Sequence, residues 1–261
     1  MQKTNMNIHK PFTFCFLLFI SYFLLLISFD SVGQSANDIM RKSDEKMRGT
    51  SSQAEMTFKT IRSTWTREMS VKTWSKGKEL AMILVTSPAK EKGIVFLKRK
   101  KEVWNWIPVL ERVIKLPPSM MANSWMGTDF SNDDLVKESS VVDDYTHRLL
   151  KDTIINNLTC YQIELKPKPS TAVVWGKLKV AVDKKDYLEL YTEFYDESNE
   201  LVSTMLGTEI KSMDGRLIPT HITMVPKNKK NQRTEIIYKS ILFNRTISDN
   251  FFSLDQIQNL N

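Results

Sequence analysis

Alternation at period two is the feature that most restricts this chain. Tyr187, Glu189, Tyr191, Glu193 and Tyr195 fall on one side of a candidate strand, with Leu188, Leu190 and Phe194 on the other. Thr159, Tyr161, Ile163 and Leu165 alternate with Cys160, Gln162 and Glu164. Glu235, Ile237, Lys239, Ile241 and Phe243 alternate with Ile236, Tyr238 and Leu242. Such patterns belong to strands, because successive side chains of a pleated backbone leave on opposite faces. Turn residues punctuate the runs at Lys76-Gly77-Lys78, Lys98 to Lys101, Asn156-Asn157, Asp196 to Asn199, Asp214-Gly215 and Lys227 to Asn231. Counting runs between these signals gives about ten to eleven strands in meandering hairpins, the spacing of a barrel or large curved sheet. Helices are few: Asn37 to Met47, with Asn37 as N-cap and Gly49 as stop, then Asn132 to Glu138 and Asp249 to Gln256.

Several strands are apolar on both faces: Ala81 to Val85, Ile94 to Leu97, and Val173 to Trp175. A sheet with one wet face needs only alternation. Two apolar faces need two covers, or one cover and an apolar hollow, and the few expected helices cannot cover ten strands.

The N-terminus reads as an address rather than part of this sheet. Residues 12–29 carry no charge, follow Lys3 and Lys10, and precede the small residues Ser31, Gly33 and Ser35. That is the layout of a signal peptide, removed near residue 34; an uncleaved anchor is the alternative, since the run approaches the ~20 residues that span a bilayer. The expected organisation is 1–34 signal peptide and 35–261 one β domain, exported to the periplasm. Beyond Cys15 of the leader, only Cys160 remains, so no internal disulfide holds the domain. With 41% hydrophobic and 26% charged residues, disordered and collagen-like classes are excluded. The net charge of +7 suits an anionic surface or an acidic partner, whereas export disfavours nucleic acid.

Enzyme signatures are missing. The histidines are His9, His147 and His221, and no HExxH, GxSxG, CxxC or P-loop pattern occurs. Asp133-Asp134 and Asp143-Asp144 are adjacent pairs, which point apart on a strand or helix; after Ser131-Asn132 the first pair fits a helix start. His147 reads as structural. No catalytic residue, metal site or cofactor is expected.

The informative stretch is Pro88 to Leu135. In order it holds Pro88-x-x-x-x-Gly93, a Phe96-Leu97-Lys98 strand, Trp104-x-Trp106-x-Pro108, Arg112-Val113-x-x-Leu116-Pro117-Pro118-Ser119, and Ser124-Trp-Met-Gly-Thr-Asp-Phe-Ser131-x-x-Asp134-Leu135. This run resembles the signature of LolA-like outer-membrane lipoprotein-sorting proteins, a superfamily that includes LolB and the N-terminal domain of RseB. The match is to a variant branch with the Trp-Met-Gly-Thr-Asp-Phe motif. The resemblance implies a half-open antiparallel β-barrel with short helices over its concave side, and an apolar cavity for acyl chains. It implies a monomeric carrier of lipoproteins or lipids that meets transient membrane-associated donor and acceptor proteins. A lipid sensor, or an accessory to a membrane protein such as a lipid-exporting pump, is the alternative.

The residues themselves agree. Pro117-Pro118 forbids regular structure, and Met120, Met121, Trp125 and Met126 follow as an apolar loop. Methionine adapts to irregular partners, so the loop can plug the barrel end or line a cavity, or do both as a gate. Trp104 and Trp106 share a strand face and either line the interior or pack under a cap. The expected lipid-binding set is Phe96, Trp104, Trp106, Met120, Met121, Trp125, Met126 and Phe130.

Overall fold

The structure is a computed structural model and describes residues 34–137, 140–169 and 171–260. The expected leader and its cleavage site fall outside the described residues, apart from Gln34 at its end. No helix among the described residues is long and apolar enough to cross a membrane.

Helix α1, Ala36–Arg48, opens the described chain. Ser35, not Asn37, is its N-cap: the Ser35 hydroxyl accepts from the Asp38 N–H at 3.1 Å. The helix stops at Gly49, whose φ of 62° is left-handed. Ala36, Ile39, Met40 and Ser43 form its buried face, the i, i+3, i+4, i+7 stripe of an amphipathic helix on a sheet.

Strands β1 (Ser51–Ile61), β2 (Thr66–Lys76), β3 (Leu80–Ser87), β4 (Val95–Arg99), β5 (Glu102–Ile107) and β6 (Arg112–Leu116) run as successive hairpins. After a long connection come β7 (Tyr145–Leu149), β8 (Thr153–Ile155), β9 (Leu158–Pro167), β10 (Lys177–Asp183), β11 (Glu189–Tyr195), β12 (Leu201–Met213), β13 (Arg216–Pro226) and β14 (Arg233–Phe243). All form one antiparallel 14-stranded sheet, ordered β6-β5-β4-β3-β2-β1-β14-β13-β12-β11-β10-β9-β7, with β8 beside β9. The sequence count fell short because β6, β7 and β8 are too short to show alternation. The sheet does not close: β6 and β7 are its free edges, and residues 117–144 join them.

Two of the expected faces break at bulges. Opposite β1, Glu55 faces Ser240 but Met56 faces Tyr238, so Lys239 is the extra residue. Ile241 and Phe243 therefore join Ile236 and Tyr238 on the inner face rather than Glu235 and Ile237. On β11, Tyr191 pairs with Ala181 and Glu189 with Val182, leaving Leu190 as the extra residue. This turns Glu189 inward with Thr192 and places Tyr191 with Leu188 and Leu190 in an outer cluster around Cys160. A bulge adds one residue to one strand and so reverses the facing of everything beyond it.

Val173 to Trp175, expected as a two-sided strand, is instead part of the loop before β10, whereas β3 and β4 are two-sided and have two covers. Ile83, Val85, Phe96 and Val103 face inward, where α1 and residues 121–136 of the connection pack with Phe58, Val71, Ile163, Val180 and Met224. Met82, Leu84, Val95 and Leu97 face outward beneath a C-terminal strap containing Ile247, Phe252 and Ile257. The expected helix over Asp249 to Gln256 is instead a 3-10 turn, Asp249–Phe251, followed by α2, Leu254–Asn259. The expected helix near Asn132 is one π-type turn, Asp133–Lys137. Lys98, placed by sequence at a solvated tip, lies within β4 and is buried, while Arg99, Lys100 and Lys101 are exposed.

Candidate functional site

Residues 117–136 form a plug over the inner face, and local chemistry dictates its path. Pro117 and Pro118 end β6, and a 3-10 turn covers Pro118–Met120. Trp125 is fully buried, with its ring centroid 4.9 Å from Phe58 and 5.7 Å from Phe96. Phe130 is buried edge-on to Phe58 at 6.4 Å. These tilted and edge-on arrangements are favourable for aromatic rings. The Trp125 indole N–H is an exception to the good packing: it is buried and meets no acceptor. An orphaned donor of this kind costs about 1–3 kcal/mol.

The backbone after Trp125 turns through two left-handed residues, Met126 (φ 49°) and Gly127 (φ 75°). Methionine is strained there, and glycine is not. Two arginines hold the turn. Arg67 on β2 donates to the Met126 carbonyl, and Arg62, at the end of β1, donates to the Gly127 carbonyl at 3.1 Å. Arg62 also pairs with Asp129 at 2.9 Å, and Thr234 on β14 donates to the same carboxylate at 2.7 Å. Arg67 is itself paired with Glu91 at 3.1 Å. The Thr128 hydroxyl donates to the Trp125 carbonyl at 2.7 Å, closing the turn from within. Each position of the Trp125 to Phe130 motif thus has a physical task. Further on, Asp134 accepts from the Ser131 N–H and hydroxyl at 2.8 Å each, and from the Trp175 indole at 2.8 Å. Burial pushes the Asp134 carboxyl above the ordinary aspartate range, against those hydrogen bonds.

Beneath α1 and the plug lies a hollow of ≈ 200 Å³. Met56, Phe58, Val71, Ile83, Ile236 and Ile241 supply its apolar wall, and Leu135 of the plug closes over it. A larger cleft, ≈ 550 Å³, opens where Gly127 to Ser131 face Trp175, Leu201, Val202 and Lys229. The plug stands between the two, with Phe130 on the cleft side.

The sequence-derived residues divide accordingly. Phe96, Met121, Trp125 and Phe130 are buried in the inner core, and Met126 packs against it. Met120 is exposed on the plug surface. Trp104 and Trp106 lie on the other face, opposite Leu97 and Val95, packed in the cluster under the C-terminal strap. Of the two placements the sequence left open, theirs is under a cap. Sequence reasoning missed Arg62, Arg67 and Thr234, which lie far from the plug in the chain; two arginines bracketing the β1–β2 turn were the available signal. His147, read from sequence as structural, has Nε2 at 2.7 Å from the Val141 carbonyl, and burial lowers its pKa.

Comparison with solved structures gives the fold an independent reference. The chain resembles a DUF1329 family protein from Desulfovibrio piger (TM-score 0.77, 22% identity, covering 85% of this chain and 97% of that one). It resembles a putative outer membrane lipoprotein-sorting protein domain from Vibrio parahaemolyticus (0.75, 20% identity, 86% and 100%). A LolA superfamily protein from Nitrosomonas europaea gives 0.75 at 23% identity, covering 85% and 99%. A search of curated proteins found no match. The LolA-like fold inferred from Pro88 to Leu135 is therefore the fold of this chain. Residues 77–259, most of the sheet and the whole plug, match the model of the family described as "-like: Uncharacterized protein", and the chain belongs to that family.

Proposed function

We propose that this protein is a periplasmic carrier that shelters the acyl chain of a lipoprotein or related lipid inside the half-open barrel, with the 117–136 plug as its gate. One observation carries the reading: the inner face is covered by an aromatic plug fastened through side chains and carbonyls, above a hollow that is already present. A purely structural cover would gain more from continuous apolar packing than from a strained turn and an orphaned indole N–H.

The hollow of ≈ 200 Å³ falls below the ~300–1,000 Å³ of ordinary ligand pockets. A long chain therefore needs the plug withdrawn, so that the space of Trp125 and Phe130 joins the hollow to the cleft. Burying each methylene is worth about 0.8 kcal/mol, so a sixteen-carbon chain gains ~12 kcal/mol, comparable with its stability in a bilayer. Gate residues that refill the space on release lower the net affinity and let the chain leave. In this reading Phe96, Met121, Trp125, Met126 and Phe130 contact the chain, while direction comes from donor and acceptor proteins at the membranes rather than from covalent chemistry.

The test is uptake of an environment-sensitive fluorescent fatty acid by delipidated protein, with Trp125→Asp as the weakened variant. Saturable uptake that the variant reduces supports the reading. Absence of uptake by wild type, even when the plug is loosened by Arg62→Met, ends it.

A further inference from the structure

Helix α1 carries charge pairs in two different settings. Arg41 bridges Asp38 at 2.9 Å and Glu45 at 3.5 Å, with all three side chains 46–62% exposed. Arg48 and Asp44 pair at 3.1 Å with only 19% and 12% exposed, Arg48 Nε reaching the two carboxylate oxygens at 3.3 and 3.4 Å. Asp44 and Arg48 both line the inner hollow. An ion pair withdrawn from water adds little stability over apolar packing, and the helix has solvent-facing positions for such pairs. Ser52 and Ser75, hydrogen-bonded at 2.8 Å, line the same hollow. The hollow is thus amphiphilic: a greasy body with a donor and an acceptor side by side on its wall.

That pairing matches a secondary amide, whose carbonyl accepts while its N–H donates. A free carboxylate satisfies the guanidinium but meets the Asp44 carboxylate as well. Asp44 also feels a second acid, since its charge adds to burial in raising the Glu189 carboxyl. We propose that the hollow receives an amide-linked acyl chain, with Arg48 donating to the amide carbonyl and Asp44 accepting the amide N–H. This rests on the carrier reading above and names the linkage it selects.

The experiment is displacement of the fluorescent fatty acid by three competitors of one chain length: the N-methyl amide, the methyl ester and the free acid. On wild type the amide displaces the probe at about tenfold lower concentration than the ester, the effect of one hydrogen bond to a charged group, and the acid is weakest at neutral pH. The neutral double variant Asp44→Asn, Arg48→Gln brings the three within about twofold, the contrast left when neither partner is charged. Circular dichroism confirms that it is folded, and the single Asp44→Asn serves if it is not, shrinking the preference for amide over ester to about twofold because the Asn carbonyl still accepts the amide N–H as a neutral partner. Equal displacement on wild type, or an unchanged ranking in the folded variant, overturns the proposal. Failure of the probe to bind at all overturns the carrier reading and this proposal together.

Discussion

Arg62→Met tests the latch directly. The side chain makes an ion pair with Asp129 at 2.9 Å, the two being 13% and 3% exposed, and donates to the carbonyls of Gly127 and Ile61 at 3.1 and 3.0 Å. After the substitution, Asp129 keeps only the Thr234 hydroxyl and its own N–H contact to Thr234. Removing one partner of a buried pair costs ~3–5 kcal/mol, and the slight exposure of Arg62 argues for the lower end. At ~3 kcal/mol the melting temperature falls by ~6–12 °C for a domain of this size. Asp129→Asn costs less, because Arg62 still reaches three carbonyls, including that of Arg233. The double variant should fall short of the summed single losses by ~1–3 kcal/mol, the signature of coupled residues. Denaturant unfolding followed by tryptophan fluorescence measures all four corners of the cycle. Because the latch holds the plug, Arg62→Met should also speed probe uptake by up to ~100-fold, the equivalent of ~3 kcal/mol. Additive losses and wild-type uptake rates would refute the latch.

Three further outcomes follow from the same contacts. Gly127→Ala forces a Cβ into the left-handed region; Arg67 Nη2 is 3.7 Å from that position, an ordinary contact, so the expected loss of ~1 kcal/mol is conformational and visible in a melting curve. Trp125→Ala should cost ~3–5 kcal/mol, while Trp125→Phe costs much less because it keeps ring contacts and removes the orphaned N–H; equal losses in calorimetry would contradict that ranking. Burial raises the Glu189 carboxyl, so the native state binds its proton more tightly than the unfolded chain, and stability declines as pH rises from the ordinary glutamate range through the raised folded value. Glu189→Gln, which still accepts from Thr192, should flatten that decline in urea titrations at stepped pH, and an unaltered slope would count against it.

What could be read from the sequence depended on whether its physical cause was local. The β character, the first helix and the plug followed from periodicity, from Gly49 and from Pro117-Pro118, each of which acts within a few residues. Bulges are not local in this sense: nothing around Lys239 or Leu190 announces that a partner strand skips a residue, so Ile241, Phe243, Glu189 and Tyr191 were assigned to the wrong faces. The short strand Thr153–Ile155 offers too few residues for alternation to register. The position of Trp104 and Trp106 turned on a strap over a hundred residues later, and the plug's fastening on Arg62 and Thr234, which flank it from opposite ends of the chain. Two apolar faces on Ala81 to Val85 were legible, and so was their need for two covers; which segment supplied the second was not.

The free edges β6 and β7 are consecutive in the chain, and the plug lies within residues 117–144, the segment that joins them. A flap hinged at one end can swing clear without disturbing its frame. A strap sewn to both margins cannot: lifting its middle tugs at each seam, so displacing Trp125 and spreading the margins become one motion. In the carrier reading proposed above, cargo size would then be registered at the rim, where a membrane-bound acceptor could tell a filled vessel from an empty one by its width.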